Sequence, residues 1–471
     1  MIWQFGKFRS NIAVITEDGN SYSYACLEND CDKLINNITS GRCLIFNLCS
    51  NEIGSLIGYV AFINNHIVPL LLDAHLDSTL LDSLIEAYKP DYLWLPSTRK
   101  NEFEYFNEVY SQYNYSLLKT PYTNEYLLYD ELALLLTTSG STGSPKFVRQ
   151  SYANINANTE SIVEYLRLDE TERPITTLPM SYTYGLSIIN THLYTGASII
   201  LTEKSIMQKE FWQQLKEYKA TSFGGVPYTY EILDKLRFYR MDLPYLRTMT
   251  QAGGKLSPEL HKRFAEYARE NGKRFIVMYG QTEATARMSY LPHEKSIEKS
   301  GSMGIAIPGG KFSLIDINGQ EISEPEVTGE LVYQGANVTL GYAEYGEDLK
   351  KSDERGGILV TGDMAKRDEE GYYYIVGRKK RFLKIFGNRI NLDETERIIK
   401  DNFKDCDCAC GGIDDAMHIF VTNPALLENI KQFITSKTGL NHIAFKVRYI
   451  DAIPKNESGK TLYSELEKYY D

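Results

Sequence analysis

The ten residues from Thr137 to Lys146, TTSGSTGSPK, concentrate hydroxyls, two glycines and one cation in a single stretch. Gly140 and Gly143 allow tight backbone turns, so several N–H groups can converge on one point. The hydroxyls of Thr137, Thr138, Ser139, Ser141 and Thr142 add donors, and Lys146 adds a charge. Such a loop suits a polyphosphate. It is not a Walker A loop, which needs Gly-Lys followed directly by Ser or Thr; here Phe147 follows the lysine. The plainer reading, a Ser/Gly-rich connection and nothing more, stands beside it.

The elements around the loop would fix its place. The apolar run Leu132–Leu136 reads as a buried strand that delivers it. Residues 1–130 alternate strand-like and helix-like segments, which predicts a mostly parallel sheet covered by helices. Beyond the loop come a helix at 154–165 and a strand at 175–178. TQAGG (250–254) and MYGQTE (278–283) then each read as a strand end followed by a Gly-bearing loop. Ligands of open α/β sheets lie at the carboxyl ends of strands, so these loops are candidates for one site. From Gly301 the pattern turns to short strands, and from about 381 to a compact α+β arrangement.

Composition narrows the class. A chain of 471 residues predicts two or three domains. The net charge of −11 argues against bulk nucleic-acid binding. No apolar run is long enough to span a bilayer, and MIWQFGKFRSN lacks a secretory pattern, so cytoplasmic residence is expected. The seven cysteines suit a reducing compartment, and none belongs to a CxxC pair or a Cys/His set of the zinc type. Cys406, Cys408 and Cys410 alternate with period two, which predicts one buried face of a strand rather than a metal or redox site.

The loop TTSGSTGSPK resembles the signature of the adenylate-forming superfamily, which holds acyl- and aryl-CoA synthetases, peptide-synthetase adenylation domains and luciferases. The other family motifs follow in order: AGGKL (252–256), YGQTE (279–283), GELVYQGANVTLGY (329–342), the TGD and GRxK motifs within 360–390, and PKNESGK (454–460). The resemblance implies a large N-terminal α/β part of stacked mixed and parallel sheets, residues 1–380, with a β-rich subdomain at about 301–380. A small mobile α+β domain, 381–471, would carry Lys460.

The resemblance also assigns roles. Thr137 to Gly143, with Thr138 also catalytic, and Lys146 would hold ATP phosphates; Gly253, Gly254, Tyr279, Gly280, Gln281 and Thr282 would line the rest of the nucleotide site. Asp363 and Arg378 would hold the ribose, Glu283 would hold Mg²⁺, and Lys460 would steady the transition state of adenylation. The implied reaction joins a carboxylic acid to AMP and then passes the acyl group to CoA or to the phosphopantetheine of an acyl-carrier protein. Gly387 would border the thiol path, and Arg381 would be the hinge. The acid pocket would draw on Tyr182, Tyr184, Gly185, Phe223, Gly225, Ala252 and Met278. Amino-acid-activating relatives place an Asp where this chain has Tyr182. An unpaired buried ammonium is costly, so an α-amino acid is disfavoured. An adenylation enzyme loading an amino or aryl acid onto a separate carrier, a luciferase-like oxygenase, and a nucleotide-binding protein without catalysis are the competing readings.

Overall fold

A computed structural model of the chain describes residues 2–137, 146–386, 388–455 and 461–470. Contacts divide it into two compact units, residues 1–312 with 333–359 and residues 313–332 with 360–471. The boundary expected at 380/381 falls within the second of these units.

The first unit is built on an eight-stranded sheet. Its centre is parallel, with Leu44–Cys49 between Val68–Asp73 and Tyr92–Pro96, and Leu132–Thr137 beside Val68–Asp73. Its margins are antiparallel, so the sheet is mixed where alternation alone predicted mostly parallel pairing. The helix Ile53–Asn64 is apolar almost all round and is buried from Ile53 to Ile63, as such a helix must be. A second sheet aligns Ser222–Gly225, Thr248–Gln251 and Arg274–Tyr279 in parallel and adds two short antiparallel strands. A small third sheet pairs Ile12–Ile15 with Ser21–Ser23 and with Ile199–Ile200.

Three elements beside the site go beyond or against the sequence reading. The segment after the loop first forms a strand, Phe147–Ser151, antiparallel to Leu132–Thr137, and only then the helix Tyr152–Leu166. Thr137 is thereby paired with Phe147 at the end of these two strands. The stretch SYTYGLS opens a helix, Thr183–Thr195, for which Tyr182 is the N-cap residue. The expected strand at 175–178 is reduced to isolated bridges of Pro174 and Ile175.

The second unit holds most of a four-stranded sheet, ordered Lys311–Ile315, Gly329–Gln334, Ile358–Arg367, Tyr373–Arg378. It continues through the hairpin Phe382–Ile385/Asn388–Asn391 into a three-stranded sheet, Cys408–Ile413, Ala416–Val421 and Phe445–Tyr449, with the helices Leu392–Asn402 and Leu427–Thr438. Cys406, Cys408 and Cys410 all enter one apolar core, whereas Ala409 joins a separate cluster with Phe420, as period-two alternation requires. Burial pushes the Cys408 thiol up to about 12, which keeps it protonated and inert.

Candidate active site

In the first unit the site is organised around Tyr342, at the centre of the short strand Gly341–Ala343. That strand pairs with Phe147–Ser151 and is fixed to it by Arg149, whose side chain is fully buried. The Arg149 guanidinium donates to the carbonyls of Leu340, Tyr342, Lys351 and Ser352 and pairs with Glu354. A buried arginine satisfied by this many acceptors locks the 340–354 segment against the hairpin that carries the phosphate-loop candidate.

The ring of Tyr342 meets two cations. Lys146 Nζ lies 3.8 Å from its centroid and the Arg355 guanidinium 4.6 Å. Its hydroxyl donates to Glu283 Oε1 at 2.8 Å. Burial, and then the neighbouring Glu283 charge, push the phenol up to about 12, so Tyr342 remains a donor at neutral pH. The Glu283 carbonyl is held three times, by Thr339 N, Thr339 Oγ1 and Arg355 Nη1 at 2.9–3.0 Å. Lys146 also lies 3.7 Å from Glu344.

Glu283 fits the magnesium role. One carboxylate oxygen is oriented by Tyr342, the other has no donor among the described residues, and a hard cation held mainly by phosphates needs only one or two protein carboxylates. Among the described residues no group of three or more His, Cys, Asp or Glu could form a metal cage by itself.

The loop after Thr248–Gln251 is held from below by the buried Gln251, whose Nε2 donates to the carbonyls of Ala252 and Gly254. Gly253 has φ +84°, and a Cβ there would lie 2.7 Å from the Tyr182 hydroxyl, so glycine is required twice over. At Gly280 a Cβ would fall 1.8 Å from the Ala286 carbonyl. Gln281 Nε2 donates to the Tyr279 hydroxyl at 3.1 Å. Thr282 is buried at the start of the 3₁₀ turn that carries Glu283.

Of the acid-pocket candidates, Tyr182, Tyr184, Ala252 and Met278 come together in one cluster with Leu178, Val226 and Tyr290. Tyr184 bonds Thr250 Oγ1 at 2.8 Å. Strand alternation sends Phe223 and Gly225 elsewhere. Phe223 packs with Tyr230 and Phe238, and a Cβ on Gly225 would meet Thr229 and Tyr230. Gly224, not singled out from the sequence, is the residue that faces the Tyr184 hydroxyl. Gly185 is a packing position, because a Cβ there would lie 2.3 Å from the Pro179 carbonyl. The sequence reading also missed Arg287, whose buried guanidinium lies 4.5 Å from the centroid of the Tyr184 ring. Nothing in the string EATARMSY marks that arginine as internal.

In the second unit Asp363 and Arg378 are direct cross-strand partners, with Arg378 Nε 3.7 Å from Asp363 Oδ1. Asp363 is buried while the Arg378 side chain is 68% exposed, so the carboxylate is fixed and the guanidinium is free to reach. Arg381 is an anchor: it pairs with Asp393 at 2.8 Å and Glu396 at 2.5 Å, donates to the Cys410 carbonyl, and lies over the Tyr463 ring at 3.7 Å. Burial pushes the Glu396 carboxyl up, against the pull of Arg381. Thr138, Ser139, Gly140, Ser141, Thr142, Gly143, Gly387 and Lys460 lie outside the described residues.

A family model described as AMP-binding enzyme matches residues 3–343. An oxalate–CoA ligase of Arabidopsis thaliana is 29% identical over 345 residues, 70% of this chain and 66% of that protein. A luciferin 4-monooxygenase of Nipponoluciola cruciata is 26% identical, over 70% of this chain and 62% of its own length. The matched stretch thus spans just under two thirds of these curated relatives. Among solved structures, the o-succinylbenzoate CoA synthetase MenE of Bacillus subtilis, in complex with its acyl-adenylate intermediate, superposes with a TM-score of 0.78 at 22% identity. That match covers 98% of this chain and 96% of that one.

Proposed function

Since the chain belongs to the AMP-binding enzyme family, we propose that it is an AMP-forming carboxylic acid–thiol ligase. It makes an acyl-adenylate from ATP and a carboxylic acid, then passes the acyl group to a thiol, that of CoA or of a carrier protein's pantetheine. The observation that carries the reading is the set formed by Lys146, Tyr342, Arg355 and Glu283 beside the hairpin that bears residues 138–145. Two cations and an oriented carboxylate on one phenol ring suit a triphosphate with its metal.

In this reading the acid's carboxylate attacks the α-phosphorus of ATP and pyrophosphate leaves. Lys146 and the loop hydroxyls bind the outer phosphates, where fixed charges oriented in advance lower the barrier. Tyr342 keeps the Glu283 carboxylate aimed, and Mg²⁺ bound there would offset phosphate charge. Asp363 accepts the ribose hydroxyls, a carboxylate being able to take two O–H donors, and Arg378 adds a second ribose contact. Lys460 brings the two anions together. Arg381, at the 380/381 boundary, is the proposed hinge about which the C-terminal part presents first Lys460 and then Gly387.

An α-amino acid is disfavoured as substrate, since position 182 carries a tyrosine in place of an Asp that would meet its ammonium. The cytoplasm is the proposed compartment, supported by seven cysteines that are all unpaired. No helix among the described residues is long and apolar enough to cross a membrane. Acid-dependent ATP–pyrophosphate exchange tests the first half-reaction, and thioester formation with CoA against a phosphopantetheinylated carrier protein separates the two acceptors.

A further inference from the structure

The cluster of Tyr182, Tyr184 and Met278 packs against a charge. Arg287 is 2% exposed, yet its guanidinium contacts among the described residues are with neutral groups. Nη1 reaches the Met278 sulfur at 2.7 Å and the Tyr165 hydroxyl at 3.2 Å, Nη2 reaches Ser187 Oγ at 3.0 Å, and the Tyr184 ring stacks beside it. Nε meets no acceptor at all. A guanidinium offers five N–H donors, so at least two are unused. No carboxylate among the described residues pairs with it, unlike Arg149 and Arg381, which each find an acidic partner.

A buried cation without a counter-ion is costly, because desolvation is not offset by a nearby negative charge. The backbone shows that this placement is enforced. Thr285 has φ +65° and ψ −62°, with Ala286 N bonded to the Ala284 carbonyl at 2.7 Å: a γ-turn of the strained hand, on a β-branched residue. Asn337 Nδ2 holds the Ala284 and Arg287 carbonyls at 2.9 and 3.0 Å, and Asn158 Nδ2 holds the Arg287 carbonyl at 2.9 Å. Thr183 and Gln150 donate to the Thr285 carbonyl. Several buried side chains thus fix an unfavourable turn whose consequence is a cation without an acidic partner among the described residues, set in an aromatic and apolar cluster.

We propose that Arg287 is a specificity-determining residue that binds a second anionic group of the substrate, so that the acid activated is one bearing a further carboxylate remote from the reacting one. The inference rests on the ligase reading above and narrows its substrate class. A carboxylate suits the vacancy, since it can take Nε–H together with an Nη–H in the paired geometry that guanidinium favours. The ion pair forms only when substrate is bound, so its contribution goes to selecting that substrate.

The test is ATP–pyrophosphate exchange by the wild-type protein with matched pairs of acids: glutaric against pentanoic, adipic against hexanoic, terephthalic against 4-methylbenzoic. The diacid is expected to show the higher kcat/KM, by about tenfold or more, in at least one pair. Arg287→Met, which replaces the cation by an apolar chain of similar length, is expected to lower that diacid's kcat/KM about a hundredfold and reverse the preference within the pair. A packing role alone would lower both members together. Preference for the monoacid in every pair, or a diacid preference that survives Arg287→Met, overturns the inference while leaving the ligase reading intact. Exchange with no acid in either class overturns the ligase reading and this inference with it. Should Arg287→Met not fold, the wild-type pairs alone decide.

Discussion

Glu283 and Arg287 stand on either side of the strained turn at Thr285, and the turn sends them to different chemistry. Glu283 goes to the Tyr342 hydroxyl, beside Lys146 and Arg355, and Arg287 goes into the cluster of Tyr165, Tyr184 and Met278. One short segment therefore aims an anion at the proposed phosphate site and a cation at the proposed acid site. Asn337 holds the segment together, accepting from Tyr333 while donating to Ala284 and Arg287.

Asn337→Ala should therefore be costly out of proportion to its size. It leaves two buried carbonyls each short of a donor and a tyrosine hydroxyl without its acceptor. A loss of roughly 2–4 kcal/mol is expected in denaturant unfolding, together with reduced exchange activity. An unchanged unfolding midpoint would show that the turn holds itself.

Tyr342→Phe separates the hydroxyl from the ring. The cation contacts with Lys146 and Arg355 survive, and only the hydrogen bond that aims Glu283 is lost. A bond to a charged group contributes about 1.5–3 kcal/mol, so kcat/KM for ATP should fall by about one to two orders of magnitude. Tyr342→Ala should fall further. If the phenylalanine variant matches wild type, Glu283 is positioned by its backbone bonds alone.

Arg381 carries two expectations that must be measured apart. Arg381→Ala strands the buried Glu396, together with Asp393, and should destabilise the second unit by roughly 3–5 kcal/mol. Arg381→Pro adds a fixed φ and a missing N–H to that loss. If the chain swivels here, folded proline protein should keep exchange within about tenfold of the alanine variant and lose far more thioester synthesis. Equal thioester synthesis in the two variants would remove the hinge from position 381.

Two buried histidines set an acid limit on stability. Burial pushes both His192 and His261 down to about 4, from an ordinary value of 6.5. The unfolded chain then binds protons that the folded chain refuses, so the unfolded state binds more protons and stability rises with pH through this window. Stability is complete above about 6.5 and falls as the pH drops toward 4, by roughly 1–1.5 kcal/mol for each histidine at pH 5.5. Unfolding curves at pH 7.5 and 5.5 measure it directly, and equal stability at the two values would contradict neutral burial of both rings.

Much of this was legible in the sequence where one physical signal dominated. The helices at 78–88 and 392–402 follow their apolar spacing and the helix at 53–64 its near-continuous apolar run, while Cys408 and Cys410 alternate within their strand and Cys406 lies just before it. The helix Thr183–Thr195 was not legible, because its Tyr-, Thr- and Ile-rich sequence carries strand-forming residues and tertiary burial overrides their preference. Composition alone does not say which of residues 223–225 faces Tyr184; strand register gives that face to Gly224 and turns Phe223 and Gly225 away. Arg287 gave no signal, since only the long-range bonds of Asn158, Gln150, Thr183 and Asn337 reveal that the segment is buried and strained.

The central claim, that this chain activates a carboxylic acid with ATP, is tested most directly by ATP–pyrophosphate exchange across a panel of carboxylic acids, with Lys460→Ala in parallel. Mg²⁺-dependent exchange that requires both ATP and an acid is expected, with AMP as the nucleotide product and a loss of about two to three orders of magnitude in the Lys460→Ala protein. Thioester formation by that variant from a supplied acyl-adenylate should be largely spared. Exchange that is absent with every acid, while the folded protein still binds ATP, would contradict it.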